Sequence, residues 1–226
     1  MFKYRDPVDI VKVGAKEGVM SIDLIESESA VNCLMTLYLL KRANNQIDGI
    51  TKMQKLTFVA QNEMAHEGIY AISGEFYKWN YGPISNEVYR TNEVLVGNNL
   101  VEDRALALTD RGEAFLADFS YIIGDNKEIF TLIDKCVDEF SQLSLHEIKE
   151  KIYSMMVTPL GWLKQSEIKD LPHGTTILRN KGFTSLEIDA DDIETLLIYI
   201  DEELYQSILS GMNDVKYGRI SGLQTA

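Results

Sequence analysis

Histidine and cysteine are the side chains of this sequence that could ligate a metal ion or act as a nucleophile. His66, His146 and His173 lie far apart, and none has a cysteine or a second histidine at the spacing of a metal site. Cys33 and Cys136 fall in predicted helices, where an unpaired cysteine usually packs as a small apolar side chain. Phosphate-binding glycine loops and nucleophile elbows do not occur. The residue types therefore predict no catalytic residue, no metal and no cofactor.

Clustered carboxylates could hold calcium or face a basic partner, and they are densest late in the chain. The run contains Glu187, Asp189, Asp191, Asp192 and Glu194. It lacks the central glycine that a calcium-binding loop requires. Two interpretations remain. The acids open a helix whose dipole favours them, or Asp191, Asp192 and Glu194 contact a basic partner, because no basic residue occurs from 183 to 215.

The whole chain is acidic, which restricts the partners that it can bind. Its 226 residues include 22 lysines and arginines against 35 aspartates and glutamates, a net charge of −13. Residues 1–50 contribute −1, residues 51–112 contribute −2 and residues 113–226 contribute −10. DNA-binding proteins normally carry a basic face. The balance therefore disfavours DNA, unless a local patch overrides it.

Hydropathy predicts a cytoplasmic protein without membrane contact. No apolar run approaches the roughly 18 residues of a membrane-spanning helix. The first residues also lack the apolar core of a signal peptide.

Apolar spacing and turn residues predict the elements that position these side chains. In the first half, helices are expected over 28–44, 51–67, 86–97 and from 110 towards 119. An alternating aromatic segment over 76–81 ends at Gly82-Pro83, and Ser85 caps the helix that follows. Residues 100–108 resemble a small hairpin. Residues 1–27 show weak periodicity and form an unassigned N-terminal arm.

The second half is predicted to be mostly helical. Helices are expected over 127–141, from Ser144 to about Met156, and over 191–209. Ser144 and Glu147 match a capping box, in which each side chain bonds the backbone N–H of the other residue. Glycines and Pro172 predict loops and short elements over 165–188.

The order of the N-terminal elements is that of a winged helix, in which a helix is followed by a two-stranded wing. The helix over 86–97 precedes the hairpin over 100–108, and Leu108-Thr109-Asp110-Arg111-Gly112 leads into the next helix. We therefore predict a mainly α (α+β) fold with three regions. They are an arm over 1–27, a winged-helix-like domain over 28–121 and a helical C-terminal region over 122–226.

Two sequence motifs indicate a family. The first is a Thr–Lys–hydrophobic–Gln–Lys–Leu run followed by an aromatic residue and Ala-Gln, here Thr51-Lys52-Met53-Gln54-Lys55-Leu56, Phe58 and Ala60-Gln61. The second is an aromatic residue, then Gly-Pro and a helix with Val-Tyr, here Phe76, Trp79, Tyr81-Gly82-Pro83, Ser85 and Val88-Tyr89. Over about residues 30–95 the chain thus resembles the SocA-like antitoxin domain, also called Panacea. The resemblance implies a non-enzymatic protein that neutralises a cognate toxin or serves as a proteolytic adaptor.

The motif residues predict a first surface for a protein partner, made of Gln54, Lys55, Trp79, Tyr81 and Tyr89. The alternative for the aromatic residues is a place in the core, because large aromatic side chains dominate cores as well as interfaces. For Lys55, the alternative is a side chain that faces water without a partner. The acidic run would form a second surface, for a basic partner such as a cationic toxin.

The alternative function is that of a winged-helix transcriptional regulator. Asn86 and Arg90 on the recognition helix and Arg104 at the wing tip would contact DNA, and a homodimer would double these contacts. However, Glu87 and Glu93 share the outward face of that helix with Arg90. DNA readers favour Arg, Lys, Asn and Gln there, so binding to a protein is the main prediction.

Overall fold

The computed structural model describes residues 24–44, 47–217 and 219. Residues 1–23 of the predicted arm lie outside the described residues. The described part is mainly helical and contains a small antiparallel sheet, which confirms the predicted mainly α class. No helix in that part is long and apolar enough to cross a membrane.

Nine α-helices lie in the described part of the chain. They are α1 (Leu24–Arg42), α2 (Gly49–His66), α3 (Asn86–Gly97), α4 (Asp110–Asp118), α5 (Ser120–Asp125), α6 (Lys127–Phe140), α7 (Leu145–Tyr153), α8 (Ala190–Ile200) and α9 (Glu202–Lys216). The helices predicted over 51–67, 86–97 and 127–141 coincide with α2, α3 and α6 to within two residues.

Local capping explains why several helix starts are readable from the sequence. The Ser85 hydroxyl accepts a hydrogen bond from the Glu87 amide at the start of α3. Ser144 and Glu147 form both bonds of the predicted capping box at the start of α7. Each cap satisfies a backbone N–H that has no partner inside the helix.

The strands are β1 (Gly74–Trp79), β2 (Gly82–Ile84), β3 (Met156–Val157), β4 (Ser166–Glu167) and β5 (Thr176–Asn180). Strand β1 lies between β2 and β5 and is antiparallel to both, while β3 pairs with β4. Trp79 pairs with Gly82, so Asn80 and Tyr81 form a two-residue hairpin tip. Strand β5 lies in the segment predicted as loop and short elements, and it pairs Gly74 with Asn180.

The wing predicted over 100–108 is reduced to a single bridge between Val101 and Leu108. The Leu106 amide donates to the Glu102 carbonyl at 2.9 Å, and Leu106 is buried with a φ of 47°. Left-handed backbone of this kind ends an extended strand. The segment is therefore a compact turn that directs one leucine inward.

Helix α2 lies at the centre of the core and is buried on more than one face. The sequence pattern placed Lys52, Lys55, Gln61 and Glu63 mostly off the buried stripe, but the first three are buried and Glu63 is half-buried. That prediction was wrong because α6, α7 and β2 pack around α2, and they enclose sides that periodicity alone assigns to water.

The predicted N-terminal and C-terminal regions share one core. Helix α8 packs on α1, α6 packs on α2, and β5 pairs with β1. Ile133 and Leu196 belong to the same buried cluster as Leu34. The predicted boundary at residue 121 therefore falls within a continuous packed interior.

The single helix predicted over 191–209 is two helices, α8 and α9. Asp201 separates them in an extended conformation with a ψ of 105°, and its carboxylate accepts from the Leu204 amide at 2.9 Å. Aspartate competes for backbone N–H groups in this way and favours helix starts. The apolar periodicity of the sequence continues across Asp201, so it does not reveal the break between the two helices.

Gly112, in the first turn of α4, packs against the backbone of Leu100. A methyl group at Gly112 would lie 2.2 Å from the Leu100 carbonyl oxygen, which also accepts from the Thr109 amide. We expect Gly112→Ala to lower the unfolding free energy by about 2 kcal/mol, the scale of overpacking a core. Urea denaturation would measure the loss.

Gly124→Ala in α5 is the matched control for that substitution. A methyl group there meets no atom within 4 Å, and alanine favours a helix over glycine. The control should keep or raise the stability. Equal stability of the two variants would contradict the close approach of α4 to Leu100.

Candidate functional site

Gln54 in α2 binds both backbone groups of Ser85. Its Nε2 donates to the Ser85 carbonyl at 2.9 Å, and the Ser85 amide donates to its Oε1 at 2.9 Å. Both residues are 1% exposed, so the pair replaces water for two interior backbone groups. The contact fixes the residue that caps α3.

Lys55, one position further along α2, lies beneath the Gly82-Pro83 turn. Its Nζ donates to the Pro83 carbonyl at 2.8 Å. Gly82 has a φ of +94°, and a methyl group there would lie 3.7 Å from Lys55 Nζ. Burial, together with the charges of Lys78 and Lys149, lowers the pKa of Lys55 to about 8.

Gln54 and Lys55 therefore lie below the predicted partner surface. Each is 1% exposed, so a partner could touch neither side chain unless the turn moved. This corrects the predicted direct contact. Through their hydrogen bonds, Gln54 positions Ser85 and Lys55 positions the Gly82-Pro83 turn.

The three aromatic residues of the predicted surface are accessible. Trp79 and Tyr81 lie at the β1–β2 tip with exposed fractions of 45% and 66%, and Tyr89 lies on α3 at 40%. A place in the core does not account for side chains this exposed. The Trp79 ring is 5.9 Å from the ring of His173, at an angle of 33°.

Sequence reasoning missed two lysines and a tyrosine beside this tip. Lys78 Nζ lies 4.2 Å from the centre of the Tyr153 ring, and Lys149 Nζ lies 5.2 Å from the same centre. Lys149 is also 5.7 Å from the Tyr81 ring, and Tyr153 donates to the Asn80 carbonyl at 2.9 Å. The four-residue spacing of Lys149 and Tyr153 on α7 was the available signal.

A pocket of about 190 Å³ opens beside this group of cations and rings. Thr51, Tyr81, Leu145 and Lys149 line it. The ammonium group of Lys149 and the hydroxyl group of Thr51 suit the binding of an anion. The lining includes no carboxylate or imidazole that would serve as a general base.

The acidic run opens α8, as the first of its two interpretations expected. Asp189 and Asp192 form a reciprocal capping box, and Tyr121 donates to the Asp192 carboxylate at 2.6 Å. Asp192 is thus engaged within the protein. Asp191 and Glu194, like Glu187 before the helix, are exposed and remain available to a partner.

Helix α9 has no buried residue, although one of its faces is apolar. The exposed members are Leu204, Ile208, Leu209, Met212 and Val215. Four of them follow three- and four-residue steps and so share one side of the helix. Tyr205, seven residues before Met212 and so on the same side of the helix, packs on Tyr199 with ring centres 4.3 Å apart, and this contact anchors α9 to α8.

The three residues of the DNA-binding alternative share no hydrogen bond with one another: two of them bind other residues of the protein, and the third is exposed in a turn. Asn86 accepts a hydrogen bond from Tyr77, and Arg90 is paired with Glu87 on α3. Arg104 is exposed in the turn before Leu106. Pairing within the protein lowers the charge that Arg90 offers to a phosphate.

The described residues contain no group of three histidine, cysteine or acidic side chains that could hold a metal ion. Cys33 and Cys136 are both buried, and burial raises the pKa of each thiol to about 12. A thiol with so high a pKa stays protonated at neutral pH and is a weak nucleophile.

No family model, no curated protein and no solved structure matches this chain. The resemblance to the SocA-like antitoxin domain therefore stays a prediction that rests on the motif residues.

Proposed function

We propose that this protein is a non-enzymatic cytoplasmic regulator that acts by binding another protein, as an antitoxin or an adaptor does. The observation that carries the proposal is α9, a helix of 15 residues without a buried side chain. Its apolar face costs free energy while it stays in water and is covered when a partner binds. The winged-helix-like N-terminal region, which carries the antitoxin-like motifs, would serve as its scaffold.

The charge around α9 supports a basic partner. Residues 183–215 contain nine acidic side chains and no basic one, and they include all of α8 and most of α9. Asp191 and Glu194 are exposed on α8, and Glu203 is exposed at the start of α9. An apolar stripe within an acidic surface fits a cationic amphipathic segment, which supports a basic toxin as the partner.

The test begins with a tagged pull-down from nuclease-treated host lysate, followed by purification of the captured protein and a direct affinity measurement. We expect Ile208→Asp with Met212→Asp to weaken the purified complex at least tenfold, because both side chains lie on the exposed apolar stripe. Ser207→Asp with Asn213→Asp places the same charges at other exposed positions of α9 and is the control.

A charge reversal tests the acidic surface separately. Asp191→Lys with Glu194→Lys leaves the Asp189–Asp192 capping box intact and should weaken the complex, with the larger loss at low salt. An acidic partner, or a complex unaffected by both the stripe variant and the charge reversal, would overturn the proposal.

The DNA-binding alternative has less support. It requires a basic face, whereas Arg90 is paired with Glu87 and the segment expected to form the wing is a compact turn. It predicts that DNA affinity falls steeply with salt. Capture that depends on nucleic acid would favour it over the protein partner.

A further inference from the structure

Three ammonium groups come together at the β1–β2 tip, from three different elements. Lys55 belongs to α2, Lys78 to β1 and Lys149 to α7. Lys78 and Lys149 both lie over the Tyr153 ring. The charges of Lys78 and Lys149 add to the effect of burial in lowering the pKa of Lys55, and Lys149 likewise adds to burial in lowering that of Lys78. These charges are therefore close enough to repel one another.

No carboxylate neutralises this cluster in the part of the chain that the structure describes. None of the three lysines forms an ion pair there, in contrast to the paired lysines of the surface, Lys41, Lys151 and Lys169. Glu150, next to Lys149 in sequence, lies 3.9 Å from His146 instead. Buried charges are normally paired, and in a chain of net charge −13 carboxylates are plentiful. An unpaired cation cluster here indicates an anion from outside the protein.

The adjoining pocket has the remaining features of an anion site. Thr51 lies in the first turn of α2, so a helix N-terminus with its positive dipole end borders the pocket. The N-terminus of α7, beside Leu145, is already capped by Ser144 and Glu147. The Thr51 hydroxyl makes no hydrogen bond to any described residue, and Lys149 is only partly exposed. Both groups line the pocket and can therefore contact a ligand there.

We propose that this pocket binds the phosphoryl group of a small phosphate monoester, held by Lys149 and Thr51 and backed by the charges of Lys55 and Lys78. Lysines bind phosphate as point charges, whereas planar carboxylates are matched by the arginine fork, which the lining lacks. The volume of about 190 Å³ lies below the range of roughly 300–1,000 Å³ that encloses drug-sized ligands, so the ligand is small. Tyr81, exposed at the mouth, would pack against its organic part.

Isothermal titration of the full chain tests the proposal with inorganic phosphate, O-phosphoserine and adenosine monophosphate, each at fixed ionic strength. We expect saturable binding of one ligand per chain. Lys149→Gln should weaken the binding about tenfold or more, since it removes a charge-assisted contact. The tightest probe identifies the source of the phosphoryl group, an amino acid or a nucleotide.

Lys151→Gln is the matched control, because Lys151 lies on the same helix and is paired with Glu139. It should change the affinity less than twofold. Tyr81→Ala, at a residue of the pocket mouth, should weaken the binding of the organic phosphates more than that of inorganic phosphate. Thermal unfolding of each variant establishes that it is folded.

Either of two findings would overturn the proposal. They are the absence of saturable binding of inorganic phosphate, of O-phosphoserine and of adenosine monophosphate, and an affinity of Lys149→Gln for the bound probe equal to that of the wild-type protein. The test involves neither α8 nor α9, so its failure leaves the proposed protein partner unaffected, and the converse also holds.

Discussion

The difference in unfolding free energy between the wild-type protein and Lys55→Met should shift by about 3 kcal/mol between pH 7.5 and pH 10.5, in favour of the wild type at high pH. Lys55 is 1% exposed, and its pKa in the folded protein is about 8. An unfolded lysine titrates near pH 10.4. Methionine keeps the apolar stem and removes the ammonium group.

The sign follows from the protons that each state binds. Between pH 8 and pH 10.5 the unfolded wild type holds the Lys55 proton while the folded protein releases it, so stability rises with pH. The groups that face the ammonium group are the Pro83 carbonyl, Lys78 and Lys149, and none of them is a carboxylate that would restore the charged form. Below pH 8 both states hold the proton, and the difference between the two proteins should be constant.

Urea denaturation of both proteins at half-unit pH intervals would measure this shift. The comparison is necessary because Cys33 and Cys136, with pKa values raised to about 12, lower the stability of both proteins above about pH 8.5. Subtraction cancels that shared effect. A difference that stays flat from pH 8 to pH 10 would show that the Lys55 ammonium group is solvated in the folded protein.

Lys55 also shows where prediction from the sequence stops. A lysine among apolar residues on a helix is expected to face water, and the local pattern contains nothing to the contrary. The side chain is buried because the Gly82-Pro83 turn and α7 close over it. These segments lie roughly 30 and 90 residues away in sequence, and a periodicity window does not register such contacts.

Two helix starts that depend only on neighbouring residues were predicted correctly. The Ser144–Glu147 capping box and the Ser85 cap form as expected, because each needs only three or four consecutive residues. Strand β5 was missed, because a short strand becomes stable only when it finds the free edge of β1, about 100 residues earlier.

In the candidate site, too, some residues were predicted from the sequence and others were missed. Trp79 and Tyr81 were assigned to a partner surface from the sequence motifs, with a place in the core as the alternative, and both are exposed. Lys149 and Tyr153 were not, since only the packing of α7 beside the β1–β2 tip brings them there. A lysine cluster assembled from three elements has no continuous sequence signature.

Gln54→Met should lower the unfolding free energy by about 3 kcal/mol. Methionine has nearly the same length and keeps the packing of α2, but it can neither donate to the Ser85 carbonyl nor accept from the Ser85 amide. Each interior backbone group left without a partner costs roughly 1–3 kcal/mol. Both groups lose their partner at once, and Ser85 is 1% exposed, so water does not replace Gln54 without local opening.

Gln206→Met in α9 is the matched control, because it makes the same chemical change at an exposed position. It should alter the stability by no more than about 0.5 kcal/mol. Urea denaturation gives both values, and hydrogen exchange of the Ser85 amide gives an independent readout, which should become faster in Gln54→Met only. A loss below about 1 kcal/mol, with the Ser85 amide still protected, would mean that α2 does not hold the start of α3 through this glutamine.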